Sequence, residues 1–107
     1  MGIKTIVTNK GTKMKVLGRN LLTEFSAKHA NAKDSLDAWF NEAENSQWKT
    51  PQDIKNRHRS ADFLSDNRVI FNIKGNHYRL VVKVRYQQGI VRIEWVGTHA
   101  EYDKKRF

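Results

Sequence analysis

The chain has 107 residues, which is enough for one domain with a single hydrophobic core and too few for two. A formal net charge of +9 on so short a chain indicates an anionic partner: a nucleic acid, an anionic membrane or an acidic protein. The absence of cysteine excludes zinc fingers and thiol nucleophiles and favours the reducing cytoplasm, and no apolar run approaches the roughly 20 residues that a membrane span requires.

The N-terminal residues differ from the rest of the chain, because their lysines, glycines and apolar residues follow no clear hydrophobic period. We therefore predict an N-terminal extension over residues 1–13, loosely ordered, ahead of a single domain over residues 14–107. Two interpretations of the extension stay open. It is either a loosely held strand or a segment that precedes the natural translation start at Met14.

Two helices are predicted next, over residues 20–30 and 34–45, because apolar residues recur there at helical spacing. Asn20 is the expected N-cap of the first helix. A third, short helix is expected after Thr50, since a threonine followed by proline and then an acidic residue is a helix-start signal. The apolar stripes of the first two helices comprise Leu21, Leu22, Phe25, Leu36, Trp39, Phe40 and Ala43.

The second half of the chain predicts three strands, over residues 69–73, 78–86 and 90–96, from their β-branched and alternating apolar residues. Hairpin turns are expected at Gly75-Asn76 and Gln87-Gln88-Gly89. The predicted fold class is therefore α+β: a small, mostly antiparallel sheet of three to four strands, with the two N-terminal helices packed on one face.

One face of the middle strand carries Arg79, Lys83 and Arg85, and nearby only Glu94 offsets them. Adjacent like charges on strands repel, so this cluster favours a phosphate-binding surface over a merely solvated face. We expect the face to be unpacked and to bind single-stranded or folded RNA, because cations on a sheet suit that ligand. Arg68, Lys74 and Arg92 flank the cluster, and Arg57, His58 and Arg59 extend it.

The segment after the last strand combines a helix start with reactive side chains. Thr98 and Glu101 have the spacing of a capping box, which predicts a short helix there. His99, Tyr102 and Asp103 then share one side of a helical turn. Histidine transfers protons near neutral pH, tyrosine stacks on bases or donates a hydrogen bond, and aspartate orients an imidazole. These three residues are the candidate catalytic group.

Residues 68–84, which contain Asn76-His77-Tyr78-Arg79-Leu80, and residues 96–103 resemble the HigB toxins, RelE-like toxic components of bacterial type II toxin–antitoxin systems. The resemblance also covers residues 36–40 and 48–55. It implies a RelE-like fold and cleavage of mRNA, often on the translating ribosome. It further implies neutralisation by a HigA antitoxin, a helix-turn-helix protein, so that DNA is contacted only through the antitoxin complex.

The resemblance also assigns roles to residues. Arg79 matches the arginine that contacts the scissile phosphate, and Lys74 falls where these toxins often carry another cation. His99 and Tyr102 occupy the end of the last strand, where such toxins keep residues for proton transfer or base stacking. The predicted catalytic residues are Arg79, His99, Tyr102 and Asp103, and the predicted RNA-binding residues are Arg68, Lys74, Lys83, Arg85 and Arg57.

The expected activity is that of an endoribonuclease without a cofactor. The sequence shows no carboxylate cluster for Mg²⁺, so we expect the RNA's own 2′-hydroxyl to attack the neighbouring phosphate without a metal ion. Two alternatives stay open. The basic sheet is also compatible with a non-catalytic module that binds RNA or the ribosome, and some RelE-fold toxins inhibit gyrase and leave mRNA intact.

Overall fold

The computed structural model describes residues 13–107, so the predicted extension lies, apart from Lys13, outside the described residues. Five strands and four α-helices are present within this range. No helix in it is long and apolar enough to cross a membrane. In chain order the elements are β1 (Lys15–Leu17), α1 (Arg19–Lys28), a 3₁₀ turn (Ala30–Ala32), α2 (Lys33–Glu44), α3 (Pro51–Arg57), β2 (Asp62–Leu64), β3 (Arg68–Ile73), β4 (Tyr78–Arg85), β5 (Ile90–Thr98) and α4 (His99–Asp103).

The strands form one sheet in the order β1-β5-β4-β3-β2. Pairing is antiparallel except between β1 and β5, which run parallel. The α+β class is confirmed, but the expected three to four strands were too few. Both missed strands, β1 and β2, are edge strands of three residues, too short to show a hydrophobic alternation. Asp66 and Asn67 adopt positive φ in the turn that joins β2 to β3.

The first helix begins differently from the prediction. It starts at Arg19 behind Gly18, whose φ is +94°, and Asn20 is not its N-cap. A Cβ on Gly18 would lie 2.9 Å from the carbonyl oxygen of Ile93, so β5 passes too close for any other residue. The third helix begins as expected, because Thr50 and Asp53 form a capping box around Pro51.

The hydrophobic core lies between α1, α2 and α3 and one face of the sheet. Leu36 of α2 and Ile54 of α3 are fully buried there against inward-facing residues of β3, β4 and β5. Burying one such side chain stabilises the fold by about 1.5–3 kcal/mol. The predicted apolar stripes of the two N-terminal helices supply five of the buried core side chains: Leu22, Leu36, Trp39, Phe40 and Ala43.

The face of the sheet that points away from the core is called here the outer face. A bulge in β5 changes which side chains lie on it. Val81 pairs with Trp95 and the next residue, Val82, pairs with Ile93, so Glu94 has no partner in the ladder. Before the bulge Ile93 faces the core. After it Trp95 lies on the outer face, where strict alternation from Ile93 would have placed it inside.

Candidate active site

Arg79 lies in the middle strand, β4, where neighbours on both sides hold it. In register it faces Asn72 of β3 and Gly97 of β5. Its guanidinium carbon stands 4.7 Å from the centroid of the Tyr102 ring. A cation over an aromatic face is stabilised by about 0.5–2 kcal/mol. The contact joins the predicted phosphate-binding arginine to the predicted stacking residue, although they come from different elements.

The helix α4 is fixed at both its cap and its backbone. The Thr98 hydroxyl accepts a hydrogen bond from the Glu101 amide at 3.1 Å, and Glu101 Oε1 accepts one from the Thr98 amide at 2.8 Å. The predicted capping box is therefore confirmed. The His99 amide donates to the carbonyl oxygen of His77 at 3.3 Å, which ties α4 to the turn between β3 and β4. This attachment places His99 next to the strand that carries Arg79.

Three rings form an aromatic cluster on the outer face: Trp95, Tyr102 and Phe107. Ring centroids are 5.9 Å apart for Trp95 and Tyr102, and 5.7 Å apart for Tyr102 and Phe107, which stack with 17° between their planes. Gly97 makes room for it, since a Cβ there would meet Cη2 and Cζ2 of Trp95 at 2.5 Å. The cluster presents aromatic ring surface beside a cation, which suits a nucleobase.

The sequence analysis missed Trp95 because the bulge at Glu94 reverses the alternation. One local signal was available. A glycine inside a strand often marks a bulge or a close approach, and Gly97 lies in β5 two residues after Trp95.

Asn72 is a second residue that sequence reasoning missed. Its Nδ2 donates to the Ser60 carbonyl at 3.2 Å, which fixes the direction of the amide. Its Oδ1 is buried without a hydrogen-bond partner among residues 13–107, and so is Nε of the adjacent Arg79. A buried polar atom left unpaired costs about 1–3 kcal/mol. Both atoms are shielded from solvent, so their missing hydrogen bonds are a local cost to stability at the centre of the site.

Other predicted RNA-binding cations are partly neutralised. Lys83 Nζ lies 2.9 Å from Asp66 Oδ2, and Arg68 Nε lies 2.7 Å from Glu94 Oε1. The hydrogen bond from Lys83 lowers the pKa of the Asp66 carboxyl. The outer face therefore has two offsetting carboxylates, not Glu94 alone. Arg85 is exposed toward the far end of β4, where it lines a cavity of about 210 Å³ with Arg92.

The outer face is also more packed than expected. Val81 is fully buried and Ile70, its partner in register on β3, is 3% exposed, although both lie outside the main core. The expectation of an unpacked face was wrong at its centre, where these apolar side chains sit between the cations.

The remaining predicted residues lie at different distances from Arg79. Arg57 pairs with Glu42 of α2 on the helical side, so the structure does not bring it to the outer face. Lys74 is exposed in the turn between β3 and β4, and its carbonyl accepts a hydrogen bond from the His77 amide. Asp103 is exposed and makes no hydrogen bond or ion pair to the His99 ring in the described structure. Among residues 13–107, no three His, Asp or Glu side chains gather as metal ligands would.

Comparison with known proteins shows the family to which the chain is similar. The family model HigB_toxin, described as the RelE-like toxic component of a toxin-antitoxin system, matches residues 32–105. The mRNA interferase toxin HigB of Escherichia coli K12 is 29% identical over 92 residues, which cover 84% of this chain and 88% of that protein. The proteins named mRNA interferase HigB in Escherichia coli O157:H7 and Shigella flexneri match with the same identity and coverage.

Proposed function

The chain belongs to the HigB toxin family, and from this membership we propose that it is the toxin of a toxin–antitoxin system and an endoribonuclease that cleaves mRNA. The observation that carries the proposal is the contact between Arg79 and Tyr102 beside His99. The contact brings a cation suited to phosphate against a ring suited to a base, and His99 is the first residue of the short helix that carries Tyr102. Relatives that match over most of their length are named mRNA interferases.

The proposed reaction is attack by the 2′-hydroxyl oxygen of the RNA on the adjacent phosphorus. The bond from phosphorus to the 5′-oxygen breaks, which gives a 2′,3′-cyclic phosphate and a 5′-hydroxyl. One proton leaves the attacking hydroxyl and one reaches the departing oxygen, and His99 transfers one of them. Asp103 is proposed to orient the His99 ring once RNA is bound. Atoms and charge balance in this scheme without a metal ion.

Arg79 is proposed to stabilise the negative charge that builds on the phosphate. Its guanidinium carbon lies over the Tyr102 ring, and the planar guanidinium carries N–H donors in a geometry that matches phosphate oxygens. The ring contact therefore helps to position the group for a phosphate. Loss of one such preorganised donor typically costs about a hundredfold to a thousandfold in rate.

The wider partners are proposals as well. The net charge of +9 and the basic outer face favour a polyanionic site of action, for which we propose mRNA on the ribosome in the cytoplasm. Arg85 and Lys74 are the exposed cations that would contact RNA backbone there, with Arg68 and Lys83 contributing less because carboxylates already pair with them. A HigA-type helix-turn-helix antitoxin is the proposed inhibitor.

The test is to induce the gene in bacteria that lack the antitoxin and to map the ends of cellular mRNA. We expect growth arrest with new 5′-hydroxyl ends, and both are lost in Arg79→Ala and His99→Ala. Arg57→Ala is the matched control, because that arginine pairs with Glu42 away from the site. Growth arrest with intact mRNA would refute the nuclease. Ribosome binding without arrest would instead support a non-catalytic module.

A further inference from the structure

A cavity of about 360 Å³ lies beside the aromatic cluster, and the proposed reaction does not use it. It lies between the end of α1 and the segment that follows β5. Phe25 and Lys28 of α1 and His29, which follows α1, line it on one side, and Trp95 and Lys105 line it from the C-terminal part of the chain. None of these five residues was among the predicted site residues.

The wall from α1 is aromatic and held by the core. The Phe25 and His29 rings stack with centroids 4.3 Å apart and 21° between their planes. Tyr78 of β4 contacts both rings edge-on, with centroids at 5.4 Å and 5.8 Å. The Tyr78 hydroxyl is itself fixed by a hydrogen bond to Asn31. This wall is therefore in place before any ligand arrives.

The charge at the cavity matches a phosphate. Lys28 and Lys105 are exposed cations on its lining, and neither forms an ion pair within the described residues. Among the described residues that line it, Glu101 is the one carboxylate, and its Oε1 already accepts a hydrogen bond from the Thr98 amide in the capping box. Aromatic rings with free cations beside them are how proteins hold single-stranded RNA, with bases on the rings and phosphates on the cations.

The cavity is joined to the reaction centre by ring contacts. Arg79 stands over Tyr102 at 4.7 Å, and Tyr102 contacts Trp95 with centroids 5.9 Å apart. Trp95 therefore borders both places. An RNA strand whose phosphate lies on Arg79 would have its next nucleotide within reach of the far side of Trp95.

We propose that this cavity binds the base of a nucleotide flanking the scissile phosphate, and that Lys28 and Lys105 contact the phosphate of that nucleotide. The proposal rests on the proposed function, since it places the cavity relative to the cleaved bond. According to this proposal, α1 and Trp95 determine which flanking base is preferred, whereas Arg79 and His99 carry out the cleavage.

The test measures binding, so that it does not depend on cleavage. The probes are fluorescently labelled RNA trinucleotides with 2′-methoxy groups, which cannot be cleaved, each with one base removed in turn. We expect wild-type protein to lose about 5- to 160-fold in affinity when one terminal base is missing, the range typical of one base–aromatic stack. His29→Ala removes this difference between base-containing and abasic probes. Lys28→Ala weakens both probes equally.

Lys49→Ala is the matched control, because Lys49 is an exposed lysine away from the cavity, and thermal unfolding shows whether His29→Ala is folded. If it is not, Trp95→Phe replaces it, and we expect a smaller base penalty. A penalty that is absent in wild type, or unchanged in every variant, overturns the proposal. If the affinity loss for abasic probes behaves as expected but the protein cleaves no RNA, base binding in the cavity is supported and the proposed nuclease activity is refuted.

Discussion

Gly97→Ala is the sharpest test of how the site is built. The φ of Gly97 is not positive, so the backbone at this position tolerates alanine, but the new Cβ would meet two Trp95 carbons at 2.5 Å and Glu101 Oε1 at 2.8 Å. Both contacts are too short, so Trp95 must shift within the aromatic cluster and the Glu101 carboxylate must shift within the capping box. Overpacking costs about 1–3 kcal/mol, and a lost cap costs about 1 kcal/mol.

We expect Gly97→Ala to destabilise the protein by about 1–3 kcal/mol, which lowers Tm by about 4–8 °C for each kcal/mol in a domain of this size. Gly75→Ala is the matched control, because it introduces backbone strain without a steric clash. Its Cβ would meet nothing within 4 Å, but its φ is +65°. That variant should cost about 1 kcal/mol and leave the packing of Trp95 unchanged, because the added Cβ meets no atom of Trp95 or α4 within 4 Å.

Adding Trp95→Ala separates the cost of the contact with Trp95 from the cost of the contact with Glu101. If Trp95 is the group that moves, Gly97→Ala should cost less in the Trp95→Ala background than in the wild type, as a double-mutant cycle of unfolding free energies measures. Equal costs in both backgrounds, or a Gly97→Ala variant as stable as the wild type, would refute the packing described for this site.

Three further predictions concern single interactions. Arg79→Lys keeps the charge but loses the planar donors, so cleavage should fall about a hundredfold, measured as turnover, with little change in Tm. Thr98→Ala should cost about 1 kcal/mol and reduce cleavage, while Thr50→Ala, which breaks the other capping box, should cost stability alone. Backbone hydrogen bonds from Lys49 and Thr50 lower the pKa of the Asp53 carboxyl below its ordinary 3.8. The resulting stabilisation is present above that value and lost as pH falls through the lower folded pKa, so Asp53→Asn should flatten the fall of Tm in acid.

The features that were predicted from sequence are those that depend on neighbours in the chain. Thr98 signals a capping box and Thr50 signals a helix start within four residues of each, and both features form. The position of Trp95 depends instead on a bulge, which is set by how β5 pairs with β4. Likewise, the position of Asn72 beside Arg79 depends on the register between β3 and β4, which the sequence does not show.

The charges show the same limit. Sequence placed Lys83 and Arg85 on one face correctly, but it gave no sign that Asp66, in the turn before β3, would pair with Lys83. Nor did it show that Arg57 would turn toward Glu42 on α2. The number of cations in the sequence gives the net charge of the protein. The number of cations at a site that remain unpaired depends on which carboxylates the fold places beside them.

The attachment of α4 has a consequence for how the protein responds to heat. Arg79 belongs to a strand paired on both sides, but His99 and Tyr102 lie on a helix of five residues, too short to be stable alone. Local opening of α4 therefore needs less free energy than global unfolding. Amide hydrogens of α4 should exchange with solvent faster than those of β4, and activity should fade on heating before the sheet unfolds.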